Sequence, residues 1–306
     1  MFSKPTVLIL GAGASAPYGF PLARGLRDLV CRLPNTAAAG AIADLGYGPE
    51  ELREFVQTLR YSGCTSVDWF LEDHPEFTEV GKAAIAAALI PFENPDRLFP
   101  PGAPTSHWYE LLLNTLYSSG GAFDGSSLSI VTFNYDRSLE HYLFRVLQTR
   151  SGAADRAAEN LARLEIVHVH GRLGGLYPLV SDGRPYLPQI SSDKIRTAAD
   201  QIIVVGEASG KTVEFERARA LLFEAERIIF LGFGFHPESI RRLGVFEEPW
   251  NDEHCRRVQV QGTKFGVPPP AWEQIRSEVL MHAAPLRGVT GWTVDDYFTE
   301  VDPLNS

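Results

Sequence analysis

The segment that most restricts the fold lies near the start of the chain. Thr6-Val7-Leu8-Ile9-Leu10 is a continuous apolar run with β-branched residues. Such a run fits a strand buried on both faces, as in a parallel sheet. Gly11-Ala12-Gly13-Ala14-Ser15-Ala16 follows at once and matches Gly-x-Gly-x-x-Gly/Ala. Glycines let a backbone turn tightly and approach a pyrophosphate closely, and Ser15 adds a hydroxyl. Leu22, Leu26, Leu29, Val30 and Leu33 then recur at helical spacing. Strand, glycine turn and helix stand in the order that dinucleotide binding requires. A tight strand-to-helix turn with no ligand fits the same residues. The acidic residue that a dehydrogenase-type domain carries about 20 residues further on is missing. Asp28 falls inside the predicted helix, and no clear strand precedes Asp44.

Helical spacing dominates the next stretch. Leu52, Phe55, Val56 and Leu59 suit one helix, residues 77–89 a second, and Trp108, Leu111, Leu112, Thr115 and Leu116 a third. Alanines at 83–84 and 86–88 favour the second, and five prolines between 91 and 104 mark a loop. A helical insertion over about residues 34–125 therefore separates the first and second strands. Strands are predicted again at 128–133, 165–170, 201–205, 227–231 and 257–261. Helices are predicted at 137–148 and 213–225, and around Val294-Asp295-Asp296-Tyr297-Phe298. Strands alternating with helices imply an α/β fold, a doubly wound parallel Rossmann-like sheet with a helical insertion subdomain. Residues 1–306 are read as a single domain. Ligands of such sheets sit at the carboxyl ends of the strands. Here those ends carry Asn134-Tyr135-Asp136, His170-Gly171 and Gly232-Phe233-Gly234.

Charge and cysteine usage exclude several classes. With 28 Lys+Arg against 38 Asp+Glu the net charge is −10, a poor basis for non-specific binding to nucleic acid. Cys31, Cys64 and Cys255 are far apart, which argues against a disulfide framework and a four-cysteine zinc module and favours a reducing compartment. No apolar run approaches the roughly 20 residues of a membrane span. Lys4, the apolar stretch and Ala14-Ser15-Ala16 imitate a secretion signal, but Val7 to Leu10 is too short for one. A cytoplasmic location is expected, with no membrane partner.

Four strand ends together resemble the sirtuin-like family, the NAD-consuming Rossmann enzymes. Gly11-Ala12-Gly13-Ala14-Ser15, continued as Gly19-Phe20-Pro21-x-x-Arg24, resembles the family's Gly-Ala-Gly-x-Ser and Gly-Ile-Pro-x-Phe-Arg. Thr132-Phe133-Asn134-Tyr135-Asp136 is similar to Thr-Gln-Asn-Ile-Asp, and His170-Gly171 to the catalytic His-Gly. Gly232-Phe233-Gly234 stands where the family has Gly-Thr-Ser. The likeness runs from about Val7 to Gln261, with the insertion and much after Gly171 unmatched. The zinc module of protein deacetylases is absent. Ala23 replaces the aromatic residue that shields the reactive ribose in the family, which favours attack by water. The Asn-Tyr-Asp variant and the Gly-Phe-Pro turn resemble a bacterial branch that hydrolyses NAD in anti-phage defence.

The resemblance assigns roles. Asn134 orients the water or the ribose hydroxyls, its amide able both to donate and to accept. Asp136 binds the nicotinamide carboxamide, although both residues also suit turn formation and helix capping. His170 is the general base. Gly11, Ala12, Gly13, Ser15, Arg24, Gly232 and Gly234 hold the dinucleotide. Gly232 and Gly234 also suit a helix start before Pro237. His168 and His170, two apart on a strand, are expected to share a face; His168 reads as a hydrogen-bonded packing residue, and no metal is expected.

The leading expectation is an NAD glycohydrolase that cuts the nicotinamide–ribose bond by water attack. Unregulated NAD loss would kill the host. Control is therefore expected from homo-oligomerisation or from a partner protein, Argonaute-like or ATPase-like. An NAD-dependent deacylase and a non-catalytic NAD or ADP-ribose sensor are the alternatives.

Overall fold

The computed structural model describes residues 4–101, 107–117, 121–204, 212–244, 257–263 and 293–300. The apolar run at the start forms β1 (Thr6–Leu10), buried throughout. It pairs in parallel with β2 (Leu128–Thr132) on one side and β4 (Arg227–Leu231) on the other. β3 (Glu165–His168) extends the sheet beyond β2, and β5 (Gln259–Gly262) beyond β4. The order is β3-β2-β1-β4-β5 with every pairing parallel.

Successive strand residues face opposite sides, so each buried strand feeds two cores. Leu8, Leu10, Ile130, Ile229 and Leu231 join the larger core with the helices of the insertion. Val7, Ile9, Val131, Ile228 and Phe230 join a second core, closed by α12 (Val213–Glu224) and α13 (Pro237–Leu243). Helices on both faces of a parallel sheet make the fold doubly wound, as expected.

Between β1 and β2 the described residues form eight α-helices, with short 3-10 turns between some of them, and no strand of the sheet. They are α1 (Ala12–Ser15), α2 (Ala23–Arg32), α3 (Ala38–Ala43), α4 (Pro49–Tyr61), α5 (Val67–Asp73), α6 (Thr78–Leu89), α7 (Pro95–Leu98) and α8 (Trp108–Thr115). α4 starts at Pro49 with Glu50 and Glu51 in its first turn and ends near Arg60, in accord with the helix dipole. Its buried stripe is Leu52, Phe55, Val56 and Leu59. α6 is buried from Ala83 to Leu89 on all sides, as a helix apolar all round should be. It packs against α2, α3, α4 and α5, and against α11 (Ser192–Ala199) from beyond β3. Spacing predicts α4, α6 and α8; the short α3, α5 and α7 lie in stretches with no clear periodicity.

After β2 come α9 (Ser138–Ser151) and α10 (Ala154–Leu161), and the last described helix is α14 (Val294–Glu300). One predicted strand is absent. Of residues 201–205, Ile202 makes a single antiparallel bridge to Gly171, and Val205 lies outside the described residues. β3 also stops at His168, two residues short of expectation. The chain turns there, with the Gly171 amide donating to the His168 carbonyl at 3.1 Å. Gly171 has φ +69°, and a side chain on it would meet the Gln201 carbonyl at 1.9 Å. That turn leaves residues 201–203 against the loop rather than in the parallel ladder.

Candidate active site at the strand ends

The strand order reverses between β1 and β4, and there the two glycine turns meet. The Gly11 amide donates to Leu231 O at 3.0 Å, and the Gly13 amide to Gly232 O at 2.9 Å. The Gly232 amide donates to Thr263 Oγ1 at 2.9 Å. Gly232 sits at φ +58°, and a side chain there would lie 2.1 Å from the Ala14 nitrogen. The glycines thus bring two turns into backbone contact, and three amides expected to meet a phosphate are already donated within the protein. Ala12 is half-buried at the start of α1, and Gly234 is exposed with open space beside it. α13 begins at Pro237, the helix start that these glycines also suggested. α8 fastens the first turn from above, where Trp108 Nε1 donates to Ala14 O at 2.8 Å.

Asn134, at the end of β2, reaches back to that turn. Its Nδ2 donates to Gly11 O at 2.9 Å and to Ser15 Oγ at 3.0 Å. Gly11 O can only accept, so the amide has one possible orientation. Both amide hydrogens are spent, and the atom left to act on a ligand is the acceptor Oδ1. The sequence suggests both donating and accepting; here the donors are taken up within the protein and the acceptor Oδ1 is left for a ligand. Ser15 in turn donates to Asp136, which also accepts from the Ser138 hydroxyl and, at 3.1 Å, from the Ser138 amide. Tyr109 Oη contacts Ser138 Oγ at 2.7 Å. Asp136 therefore caps the turn into α9 besides lining the site. Burial, only partly offset by these hydrogen bonds, raises its pKa.

These groups surround a cavity lined by Ser15, Tyr109, Asn134, Asp136, Glu140 and His168 among others. It encloses about 230 Å³, counting its open mouth. Its enclosed part has room for about one water molecule, so the cavity is smaller than a dinucleotide needs. Among the described residues, this space at the strand ends is nearly filled by the protein's own side chains.

His170 lies past the turn, in an aromatic box. Its ring is 5.3 Å from Phe133, 5.7 Å from Phe215 and 6.4 Å from Tyr135 between centroids. Its Nδ1 is buried without a hydrogen-bond partner. Burial lowers its pKa, nearby Asp68 raises it in part, and Arg242 lowers it further. Asp68 comes from α5 of the insertion and accepts a hydrogen bond from the Tyr135 hydroxyl. The same helix packs Trp69 on His236, centroids 3.6 Å apart with the rings tilted at 43°, and pairs Glu72 with Arg242 at 2.6 Å. α5 thus lies against the ends of β2, β3 and β4.

His168 and His170 do not share surroundings. The turn at Gly171 sends His170 to the aromatic box, whereas His168 faces the cavity between Asn134 O (2.9 Å) and Glu140 Oε1 (2.7 Å). Asn134 bonds to Thr132, Gly11, Ser15 and His168, not to His170. Arg24 is exposed on α2 with no partner among the described residues. Sequence reasoning overlooked Asp68, Tyr109 and Glu140. For Glu140 one signal existed: it lies four residues after Asp136, one helical turn on. Among the described residues, no three or more His, Cys, Asp or Glu side chains gather as a metal-binding group.

Five parallel strands in this order, helices on both faces and polar groups at the carboxyl ends define a doubly wound, Rossmann-like α/β protein. No protein-family profile and no curated protein matches the sequence. Among solved structures, the chain is similar to Sir2 in complex with the inhibitor EX-527, 2′-O-acetyl-ADP-ribose and a deacetylated p53 peptide. Identity is 14%, with 97% of this chain and 91% of that one covered and a TM-score of 0.39.

Proposed function

We propose that the chain is an NAD glycohydrolase whose site is closed until a second copy or a partner protein opens it. The observation that carries this reading is Asn134, whose amide is locked by Gly11 O and Ser15 so that a single acceptor, Oδ1, remains for a water or a ribose hydroxyl. In the reaction, water adds to the ribose C1′ carbon as nicotinamide departs with the bonding pair, and the water gives up a proton. His170 takes that proton in this reading once opening brings it to the water, since in the structure described it does not line the cavity. Burial keeps its imidazole neutral and so able to accept. The closed cavity fits an enzyme that must not consume NAD at rest. Control by a homo-oligomer, or by an Argonaute-like or ATPase-like partner, belongs to the same reading.

The test is nicotinamide release from NAD, by the protein alone and with candidate partners. Wild type releases nicotinamide under at least one condition, and Asn134→Ala and His170→Ala lose it while keeping the wild-type circular dichroism spectrum. A wild-type protein silent under every condition overturns the reading. Acyl-ADP-ribose made from an acylated peptide would point to deacylation instead.

A further inference from the structure

His168 has a defined task in this arrangement. Its Nδ1 lies 2.9 Å from the backbone carbonyl of Asn134, which can only accept, so Nδ1 carries a proton. Its Nε2 lies 2.7 Å from Glu140 Oε1. Burial alone would raise the Glu140 pKa, but the facing imidazole and its hydrogen bonds hold it below the usual carboxylate range. Both side chains are buried, and both line the cavity. Asn134 is gripped from every other side as well: its amide by Thr132 Oγ1 at 3.1 Å, its Nδ2 by Gly11 and Ser15. The His168 contact supplies the remaining restraint, on the carbonyl.

We propose that His168, backed by Glu140, is a positioning residue that fixes the backbone of Asn134 and so aims its Oδ1 into the cavity. The proposal rests on the reading above for the reaction it serves, but the geometry it asserts exists without substrate. Glu140 holds the ring from behind and fixes its rotation, its carboxylate oxygen facing Nε2 while Nδ1 faces the Asn134 carbonyl. The groups facing the pair are the Asn134 carbonyl, Asp136 on the same turn and Arg172 beyond β3.

Two measurements test it. In nicotinamide release, His168→Ala lowers kcat about 10- to 100-fold with KM within about 3-fold, the pattern of a misplaced group rather than lost binding. His168→Asn, whose Nδ2 can occupy the Nδ1 position, restores much of that loss. Glu140→Gln stays closer to wild type than His168→Ala. Unchanged kcat in His168→Ala, or no recovery in a folded His168→Asn, overturns the proposal and leaves NAD cleavage standing. The second measurement needs no turnover. In ¹⁵N spectra of the wild-type protein at pH 7, His168 Nδ1 carries a proton, and the Asn134 side-chain amide signals move in His168→Ala but return in His168→Asn. A bare Nδ1, or Asn134 signals indifferent to His168→Ala, overturns the proposal even if NAD proves not to be the substrate.

Discussion

At the residue scale, His170 is the group whose chemistry depends most on its neighbours. An imidazole in water titrates near 6.5. Burial between Phe133, Tyr135 and Phe215 pulls His170 below that value, Asp68 pulls it part of the way back, and Arg242 pushes it down again. A base must be neutral to work, so the acid limb of kcat/KM should fall at a pH below the ordinary histidine range. Asp68→Asn removes the raising influence and moves that limb to lower pH. Arg242→Met removes a lowering influence and moves it to higher pH. A pH–rate profile of the three proteins checks both signs; a limb that ignores both substitutions means that His170 is not the group observed. The identities of Asn134, Asp136 and His170 were readable from the chain because short polar motifs follow apolar runs there. Their contacts were not. Which atom of Asn134 remains available follows from a carbonyl more than a hundred residues away.

At the element scale, the parallel core strands were legible because β-branched runs ending in glycine have few other uses. Residues 201–205 misled because a short apolar run at a sheet edge can bridge without joining the ladder. α5 was invisible: seven residues with no marked apolar period, held in place by what they touch. Asp68, Trp69 and Glu72 tie this short helix to Tyr135 after β2, His236 after β4 and Arg242 on α13. If these ties help keep the cavity small, loosening them should free it. Trp69→Ala combined with Glu72→Ala spares Asp68 and should raise nicotinamide release by the isolated protein several-fold, measured beside wild type without partner. Faster hydrogen exchange across Val67–Asp73 should accompany the rise. Release that stays at the wild-type level despite faster exchange would show that α5 does not hold the cavity closed.

At the scale of the whole molecule, a buried ionic knot ties the insertion to the sheet. Glu93, fully buried, accepts two hydrogen bonds of 2.8 Å from Arg137 and one of 2.5 Å from Arg184. Arg137 also donates to the carbonyls of Gly175 and Arg184, at 2.7 and 2.9 Å. Glu93→Ala leaves two guanidinium groups buried without their carboxylate and should cost about 3–5 kcal/mol in urea unfolding. A loss under about 1 kcal/mol would show that water reaches the cavity left behind. A second global effect comes from His141, stacked on Tyr186 at 4.4 Å. Burial, with Arg145 and Arg137 nearby, lowers its pKa to about 4. Its unfolded value is near 6.5, so between those two pH values the unfolded chain takes up a proton that the folded chain refuses. Stability is therefore full above about pH 6.5 and is lost as pH falls towards 4. The loss is on the order of 2 kcal/mol once screening at the exposed edge of the ring is allowed for. In thermal melts across that range, acidification from pH 6.5 towards 4 should lower the melting temperature of wild type more than that of His141→Phe, which has no group to titrate there.

The pairing of β1 has one more consequence, for synthesis. Thr6 pairs with Leu128 and with Arg227, so the central strand is made before both of its neighbours and acquires the second only about 220 residues later. Contacts this distant along a chain form slowly. Meanwhile the segment Val7 to Leu10 leaves the ribosome sticky on both sides, while α4 and α6 can already fold around each other. A cell producing this protein must therefore shield this segment until β4 has been made, and expression without chaperones should yield aggregates seeded from it.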